Sequence, residues 1–194
     1  GFRAERGRVV AITGTNGKTT TTTLTGEIMK AHFGKDKTFV VGNIGNPYTL
    51  EADKTSKDSV TVGEISSFQL ETIHTFHPVV SAILNITPDH LNRHHTMEAY
   101  VAAKEAVASQ QTKADICVLN YDNDYTRDFA GRCPATPVLF SSHQELENGY
   151  FLRGDKIIKS VNGEEHELMD IHKDMNLVGL CNVENVLAAI AISE

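Results

Sequence analysis

The sequence predicts an α/β fold: a doubly wound, mostly parallel sheet with helices on both faces and a small antiparallel β meander appended. Three observations predict it. Short apolar runs alternate with helical stretches along most of the 194 residues. The runs are continuously apolar, as in Val9-Val10-Ala11-Ile12 and Ile116-Cys117-Val118-Leu119, the texture of parallel strands buried on both faces. The first run leads through a glycine-bearing turn into a segment able to form a helix, the layout of a phosphate-binding loop.

In chain order, residues 9–13 read as the first strand and 19–33 as a helix. Residues 38–41, 59–65 and 79–84 are three further strands. Residues 97–109 (MEAYVAAKEAVAS) combine strong helix formers with apolar residues at helical spacing. Strands follow at 115–120 and 138–141. Between 149 and 169, apolar pairs flank Arg153-Gly154-Asp155-Lys156 and then Asn162-Gly163, two hairpin-turn chemistries that predict the meander. Residues 183–193 (VENVLAAIAIS) form an apolar helix for which Asn182 is the expected N-cap. No repeat, low-complexity tract or linker interrupts the pattern, so residues 1–194 are expected to be a single domain.

The first turn carries the most chemistry. In Gly14-Thr15-Asn16-Gly17-Lys18-Thr19-Thr20 the glycines let backbone N–H groups converge on phosphate oxygens, and the helix N-terminus adds partial positive charge. Lys18 can reach the β- and γ-phosphates, and the Thr19 hydroxyl can ligate Mg²⁺. The usual G-x-x-x-x-G-K-[ST] pattern wants a glycine where Ile12 stands; Gly14 makes the loop tighter. A Gly/Asn turn feeding a helix with a solvated lysine is the bland alternative. Threonine at every position from 19 to 23 is a poor way to open a helix. Hydroxyls near a phosphate and its metal would explain some of them, and the rest can bond backbone carbonyls.

Composition narrows the function. Net charge is −7 with no basic stripe, which argues against nucleic acid as a partner. No apolar run approaches the roughly 20 residues of a membrane span. The chain has no signal peptide and does not begin with Met, which suggests a piece of a longer protein. Cys117, Cys133 and Cys181 lack CxxC spacing, so a reducing, cytoplasmic setting is expected, without disulfides or structural zinc.

Two more strand ends supply candidates. Glu64 closes the apolar strand Val60-Thr61-Val62-Gly63 and is a hard oxygen ligand suited to Mg²⁺. His90 follows the strand ending at Leu84, within Asn85-Ile86-Thr87-Pro88-Asp89-His90, and can ligate a metal through a neutral ring nitrogen. Asp89, His94 and His95 compete for that role, and each residue alone reads equally as an ordinary loop side chain. Three strand ends bearing Lys18/Thr19, Glu64 and His90 together supply the parts of one metal–phosphate centre at one sheet edge.

These residues resemble the Mur ligases, ATP-dependent amide-forming enzymes of peptidoglycan precursor synthesis, and specifically their P-loop-like central domain. The resemblance rests on Gly14 to Thr20 (GTNGKTT), Gly42-Asn43-Ile44-Gly45, Glu64 to Glu71 (EISSFQLE), Leu84 to His94 (LNITPDHLNRH) running on to Tyr100-Val101-Ala102-Ala103-Lys104, and the weaker Asn182-Val183-Glu184-Asn185. EISSFQLE is the part that is similar to the branch adding D-glutamate to UDP-N-acetylmuramoyl-L-alanine. The resemblance implies that Gly14, Thr15, Asn16, Gly17, Lys18, Thr19 and Thr20 hold the ATP phosphates. It implies that Thr19, Glu64 and His90 serve two Mg²⁺ ions, and that Asn182 and Asn185 lie near the adenine. Asn43, Ser66 and Gln69 would face the nucleotide-sugar substrate. Lys104 would be a catalytic lysine carbamylated by CO₂, an anion able to ligate or orient the metal; from its local sequence alone it reads as a solvated helix lysine. Flanking uridine-binding and amino-acid-binding domains of the same polypeptide and a monomeric state are also implied. Cys181 and Asn92 depart from the family pattern, where His and Asp often stand. Rival readings are another amino-acid ligase of the superfamily, a regulatory nucleotide-binding module and a hydrolytic P-loop NTPase.

Overall fold

The computed structural model describes residues 5–43, 46–174 and 179–194. Ile44 and Gly45 of the second motif lie outside them. The described chain runs β1 (Arg8–Thr13), α1 (Lys18–Phe33), β2 (Thr38–Gly42), α2 (Tyr48–Glu51), β3 (Val60–Glu64), α3 (Ser67–Leu70), β4 (Val80–Ile83), α4 (Leu91–His94), α5 (Met97–Glu105), β5 (Ile116–Asn120), α6 (Asp124–Ala130), β6 (Thr136–Ser141), β7 (Gly149–Arg153), β8 (Lys156–Val161), β9 (Glu164–Asp170), α7 (Ile171–Asp174) and α8 (Leu180–Ser193).

All nine strands form one sheet in the order β2-β3-β1-β4-β5-β6-β7-β8-β9. Pairing is parallel from β2 through β7 and antiparallel between β7, β8 and β9. The predicted meander therefore continues the main sheet: β7 adds to β6 in parallel through Phe140–Tyr150 and Ser141–Phe151. Asn162 and Gly163, both at positive φ, make the second hairpin turn, as the Asn-Gly dipeptide predicts.

Each apolar run splits between two cores because successive side chains on a strand point to opposite faces. Val10, Ile12, Val62, Ala82 and Val118 pack beneath α1 and α8, together with Met29 and Leu187. Val9, Ala11, Ile83, Cys117 and Leu119 pack against Tyr100 and Val101 of α5, Phe129 of α6 and Leu70 of α3. Both faces are covered, which is why these strands read as continuous rather than alternating hydrophobics. Helix α1 lies close on the sheet because Gly26 has no side chain; a Cβ there would meet Val40 Cγ2 at 2.6 Å.

Two boundaries differ from expectation. Helix α8 starts at Leu180 with Gly179 (φ 100°) as its N-cap, so Asn182 lies inside the first turn and is not the cap. Its amide donates to the Gly179 carbonyl at 3.0 Å, a bond that extends the helix upstream of the apolar run. The segment expected as one helix over 97–109 is α5 followed by a 3-10 turn at Ala106–Ala108. Thr96 caps α5, its hydroxyl accepting from the Ala99 amide at 3.2 Å.

A candidate phosphate and metal site

Strand order reverses at β1, which has β3 on one side and β4 on the other. The crevice beyond the carboxyl ends of strands at such a switch point is where open α/β sheets bind ligands. The loop between β1 and α1 sits there. Gly17 is the N-cap of α1 at φ 81°, ψ −9°, a left-handed conformation, and offers no capping side chain. The first amides of this 16-residue helix thus point outward without a side-chain acceptor.

The loop is held from below by the stretch after β4. Thr15 N donates to Asn85 O at 2.9 Å. Asn16 N donates to Asn85 Oδ1 at 2.8 Å, and Asn85 Nδ2 returns a bond to Asn16 O at 3.2 Å. Thr15 Oγ1 exchanges bonds with the Thr87 backbone and lies 3.1 Å from the Tyr100 hydroxyl. Asn85, Thr87 and Tyr100 were not singled out from the sequence as site residues. Their sequence signal is only their place inside the motif after β4 and at the start of α5.

Two lysines converge on the loop. Lys18 Nζ donates to Gly14 O at 3.0 Å and Thr15 O at 2.9 Å. Lys104 Nζ, on a side chain that is 2% exposed, donates to the same Gly14 carbonyl at 2.7 Å and lies over the Tyr100 ring at 4.7 Å. Burial lowers the pKa of Lys18, against the opposing pull of Glu64 and Asp89. Burial, and then the nearby Lys18 charge, bring Lys104 down to about 7. A buried lysine with its amine substantially neutral is thus part of this cluster.

Glu64 is 1% exposed at the end of β3. Its Oε2 accepts from Thr19 Oγ1 at 3.0 Å and its Oε1 from Asn43 Nδ2 at 3.1 Å. Asn43, expected on the nucleotide-sugar side, is therefore fixed on Glu64, and its amide also donates to the Glu64 carbonyl at 3.1 Å. The threonine run resolves position by position. Thr19 meets Glu64, Thr21 Oγ1 donates to Asn185 Oδ1 at 3.3 Å, and Thr23 Oγ1 donates to the Thr19 carbonyl at 2.8 Å. Thr20 is half-buried in the first turn of α1. The buried Thr22 and Thr25 hydroxyls have no hydrogen-bond partner.

Asn185 stands against the loop: its Oδ1 lies 2.2 Å from where a Gly17 Cβ would be, and its Nδ2 reaches Asn182 Oδ1 at 3.5 Å. Ser66 and Gln69 bind each other in a capping box at α3. Ser66 Oγ accepts from Gln69 N at 3.3 Å, and Ser66 N donates to Gln69 Oε1 at 2.8 Å. His90 is the N-cap of α4 at φ 51° and is half-exposed. Its Nε2 lies 3.5 Å from Asp89 Oδ2 and its ring 5.2 Å from Phe68. None of its hydrogen bonds goes to Glu64. What links this loop to the lysines is Asp89, whose charge acts on both Lys18 and Lys104. Farther along the same edge Asp122, His143 and Glu184 bring ligand-type atoms within 4.8 Å of one another. Ser141 Oγ and Ser142 N donate to Asp122, and Ser142 Oγ donates to Glu184, so that cluster is satisfied internally and ties β6 to α8.

The residues fit a magnesium-bound polyphosphate. Open amides at a helix N-terminus and two amines facing a single carbonyl form a cradle for anionic oxygens. The Thr19 hydroxyl and Glu64 carboxylate, 3.0 Å apart, are the hard oxygen set that Mg²⁺ takes.

Comparison with known proteins identifies the family. Residues 12–193 match the Mur ligase middle domain. The UDP-N-acetylmuramoylalanine–D-glutamate ligase of Lachnospira eligens is 56% identical over 193 residues, covering 100% of this chain and 42% of that protein. Its counterpart from Clostridioides difficile is 49% identical over 185 residues, covering 95% of this chain and 40% of that protein. Among solved structures, a UDP-N-acetylmuramoyl-L-alanyl-D-glutamate–2,6-diaminopimelate ligase superposes with TM-score 0.73 at 23% identity, over 97% of this chain and 43% of that one. A MurF ligase from Thermotoga maritima in complex with ADP superposes with TM-score 0.66 at 18% identity, over 97% and 45%. These two likenesses concern the fold. The chain spans about two fifths of the length of the curated relatives it matches. With the matched family covering nearly every residue from β1 to α8, the chain belongs to the Mur ligases, as their middle domain.

Proposed function

We propose that this chain is the nucleotide-binding domain of an ATP-dependent ligase that adds D-glutamate to UDP-N-acetylmuramoyl-L-alanine, releasing ADP and phosphate. The observation that carries the reading is the Thr19–Glu64 pair lying beneath the open N-terminus of α1, with Lys18 and Lys104 on the Gly14 carbonyl. Relatives 47–56% identical bear the D-glutamate ligase name, which supports the choice of amino acid.

The L-alanine carboxylate attacks the γ-phosphorus of ATP, forming an acyl phosphate and ADP. The D-glutamate amine then adds to the acyl carbon, and phosphate leaves as the amide forms. The open amides of residues 17–20 orient the triphosphate, with Thr15 and Asn16 fixing the loop through Asn85, and Lys18 moves from its carbonyl partners onto phosphate oxygens as negative charge develops there. Thr19, Glu64, His90 and, as its carbamate, Lys104 would hold Mg²⁺, which would supply charge neutralisation at the phosphoryl group. Lys104, its pKa brought down to about 7 so that a neutral amine is accessible, adds to CO₂ and loses a proton, giving a carbamate anion suited to a cation-rich site. Asn182 and Asn185 hold the adenine side, and Asn43, Ser66 and Gln69 the nucleotide-sugar side. The domain works as part of a monomeric cytoplasmic enzyme with flanking domains that complete both substrate sites. Among the described residues no helix is long and apolar enough to cross a membrane.

The test is phosphate release by the full-length protein. Release that requires both the nucleotide-sugar and D-glutamate is expected. Release independent of D-glutamate, or none, contradicts the ligase reading in favour of a hydrolase or a regulatory module.

A further inference from the structure

We propose that His94 is a positioning residue that locks the segment bearing Glu64, Ser66 and Gln69 to the segment bearing His90. The proposal rests on the ligase reading above. Helices α3 and α4 have four residues each, too few to hold their own shape without tertiary contacts. Yet α3 is flanked by the metal-side Glu64 and opened by Ser66, and α4 is opened by His90. Something must fix one to the other, and the His94 imidazole does so with both ring nitrogens.

The side chain is 2% exposed. Its Nδ1 lies 3.1 Å from Glu71 Oε1, and its Nε2 lies 3.0 Å from Ser67 Oγ. A carboxylate only accepts, so the tautomer with its proton on Nδ1 suits the Glu71 contact, and in that neutral ring Nε2 accepts from the Ser67 hydroxyl. The ring stacks on Phe68 at 5.5 Å and 6°, and packs against Tyr100 at 5.0 Å. Phe68 in turn contacts His90, and the Tyr100 hydroxyl reaches Thr15 of the phosphate loop. Arg93 adds a second tie, 3.2 Å from Glu71 and 5.5 Å over the Phe68 ring. One imidazole thus joins the three segments that supply the site.

The order serine–histidine–carboxylate is also that of a hydrolytic triad. Ser67 is 3% exposed, so its hydroxyl is out of reach of a substrate. The arrangement is a clasp, and its effect falls on the geometry of neighbours that touch substrate and metal. Loss of the clasp lets α3 and α4 move apart and takes from the buried Ser67 hydroxyl its imidazole partner, while Glu71 keeps Arg93. Binding of the nucleotide-sugar and of Mg²⁺ then weakens, while the loop's hold on ATP is retained.

The experiment uses the full-length enzyme with His94→Leu, which keeps bulk and removes the Ser67 hydrogen bond and the Glu71 contact, and His94→Gln, which keeps a donor and an acceptor. Ser67→Ala and Glu71→Gln are milder variants should His94→Leu not fold. Kinetic constants are read beside thermal unfolding. His94→Leu is expected to raise KM for the nucleotide-sugar and the half-saturating Mg²⁺ concentration about tenfold, with KM for ATP within about twofold. His94→Gln should restore most of the loss. Ser67→Ala and Glu71→Gln should shift the same two constants in the same direction. The proposal is overturned if these constants stay at wild-type values, or if all three constants change in parallel with lowered stability. A wild-type enzyme that lacks D-glutamate-dependent phosphate release overturns the ligase reading and this inference with it; a normal wild type beside unchanged variants overturns this inference alone.

Discussion

Two amines sharing the Gly14 carbonyl define the chemistry at the scale of single residues. Lys18 and Lys104 both donate to backbone oxygen; burial disfavours the charged form of each, and the Lys18 charge adds to this at Lys104. The folded Lys104 pKa of about 7 lies below the ordinary 10.5, so between those values the unfolded chain binds a proton that the folded chain does not. This group's contribution to stability therefore rises with pH from about 7 to 10 and is least favourable below 7. Urea unfolding at pH 7, 8 and 9 should show Lys104→Met flattening that rise; an unchanged slope counts against a depressed amine. In the full-length enzyme Lys18→Ala should lower turnover by at least about a hundredfold, because the cation facing the developing phosphoryl charge is gone. Near-normal rates would refute its role. Lys18, Thr19 and Glu64 were legible from strand, turn and spacing alone. The burial of Lys104 was not, because it arises from the loop, Tyr100 and Gly14 closing over a helix that locally reads as solvated. Only the resemblance to a family pointed to that lysine.

At the scale of elements, glycine marks where two segments come too close for a side chain. A Cβ on Gly42, at φ 114°, would lie 2.1 Å from the Glu64 carbonyl oxygen, backbone that cannot swing away. Gly42→Ala should therefore cost upward of about 2 kcal/mol in denaturant unfolding and disturb the Glu64 end of β3. Gly17→Ala meets a side-chain atom, Asn185 Oδ1, at 2.2 Å, so it should unfold less readily than Gly42→Ala while losing ATP binding measured by calorimetry. The reverse ranking of the two variants would contradict this account. The strands were legible because burial on both faces leaves continuous apolar runs. Helices α3 and α4 were not, since four residues carry no period. The start of α8 was misplaced because apolar periodicity begins at Val183, whereas the helix is opened three residues earlier by the backbone conformation of Gly179. The meander's turns were readable from Asn162-Gly163; its junction with β6 depends on a long-range pairing that no local signal encodes.

Across the whole molecule, the reversal of strand order at β1 brings the ends of β1, β3 and β4 together, which is why residues as distant as 18 and 64 lie at one crevice and the loop carrying Asp89 and His90 leaves the neighbouring strand end. The same edge is open, and the relatives are more than twice as long as this chain. The domain alone should bind ATP weakly and catalyse no ligation; robust amide formation by this chain by itself would overturn the multidomain picture. The most direct test of the central claim is a crystal structure of the protein with Mn²⁺ and a non-hydrolysable ATP analogue, the metal located by anomalous scattering. The account predicts the triphosphate on the amides of residues 17–20, Lys18 turned from Gly14 to a phosphate, and manganese beside Thr19, Glu64 and His90. A nucleotide bound elsewhere, or manganese away from those three side chains, would contradict it.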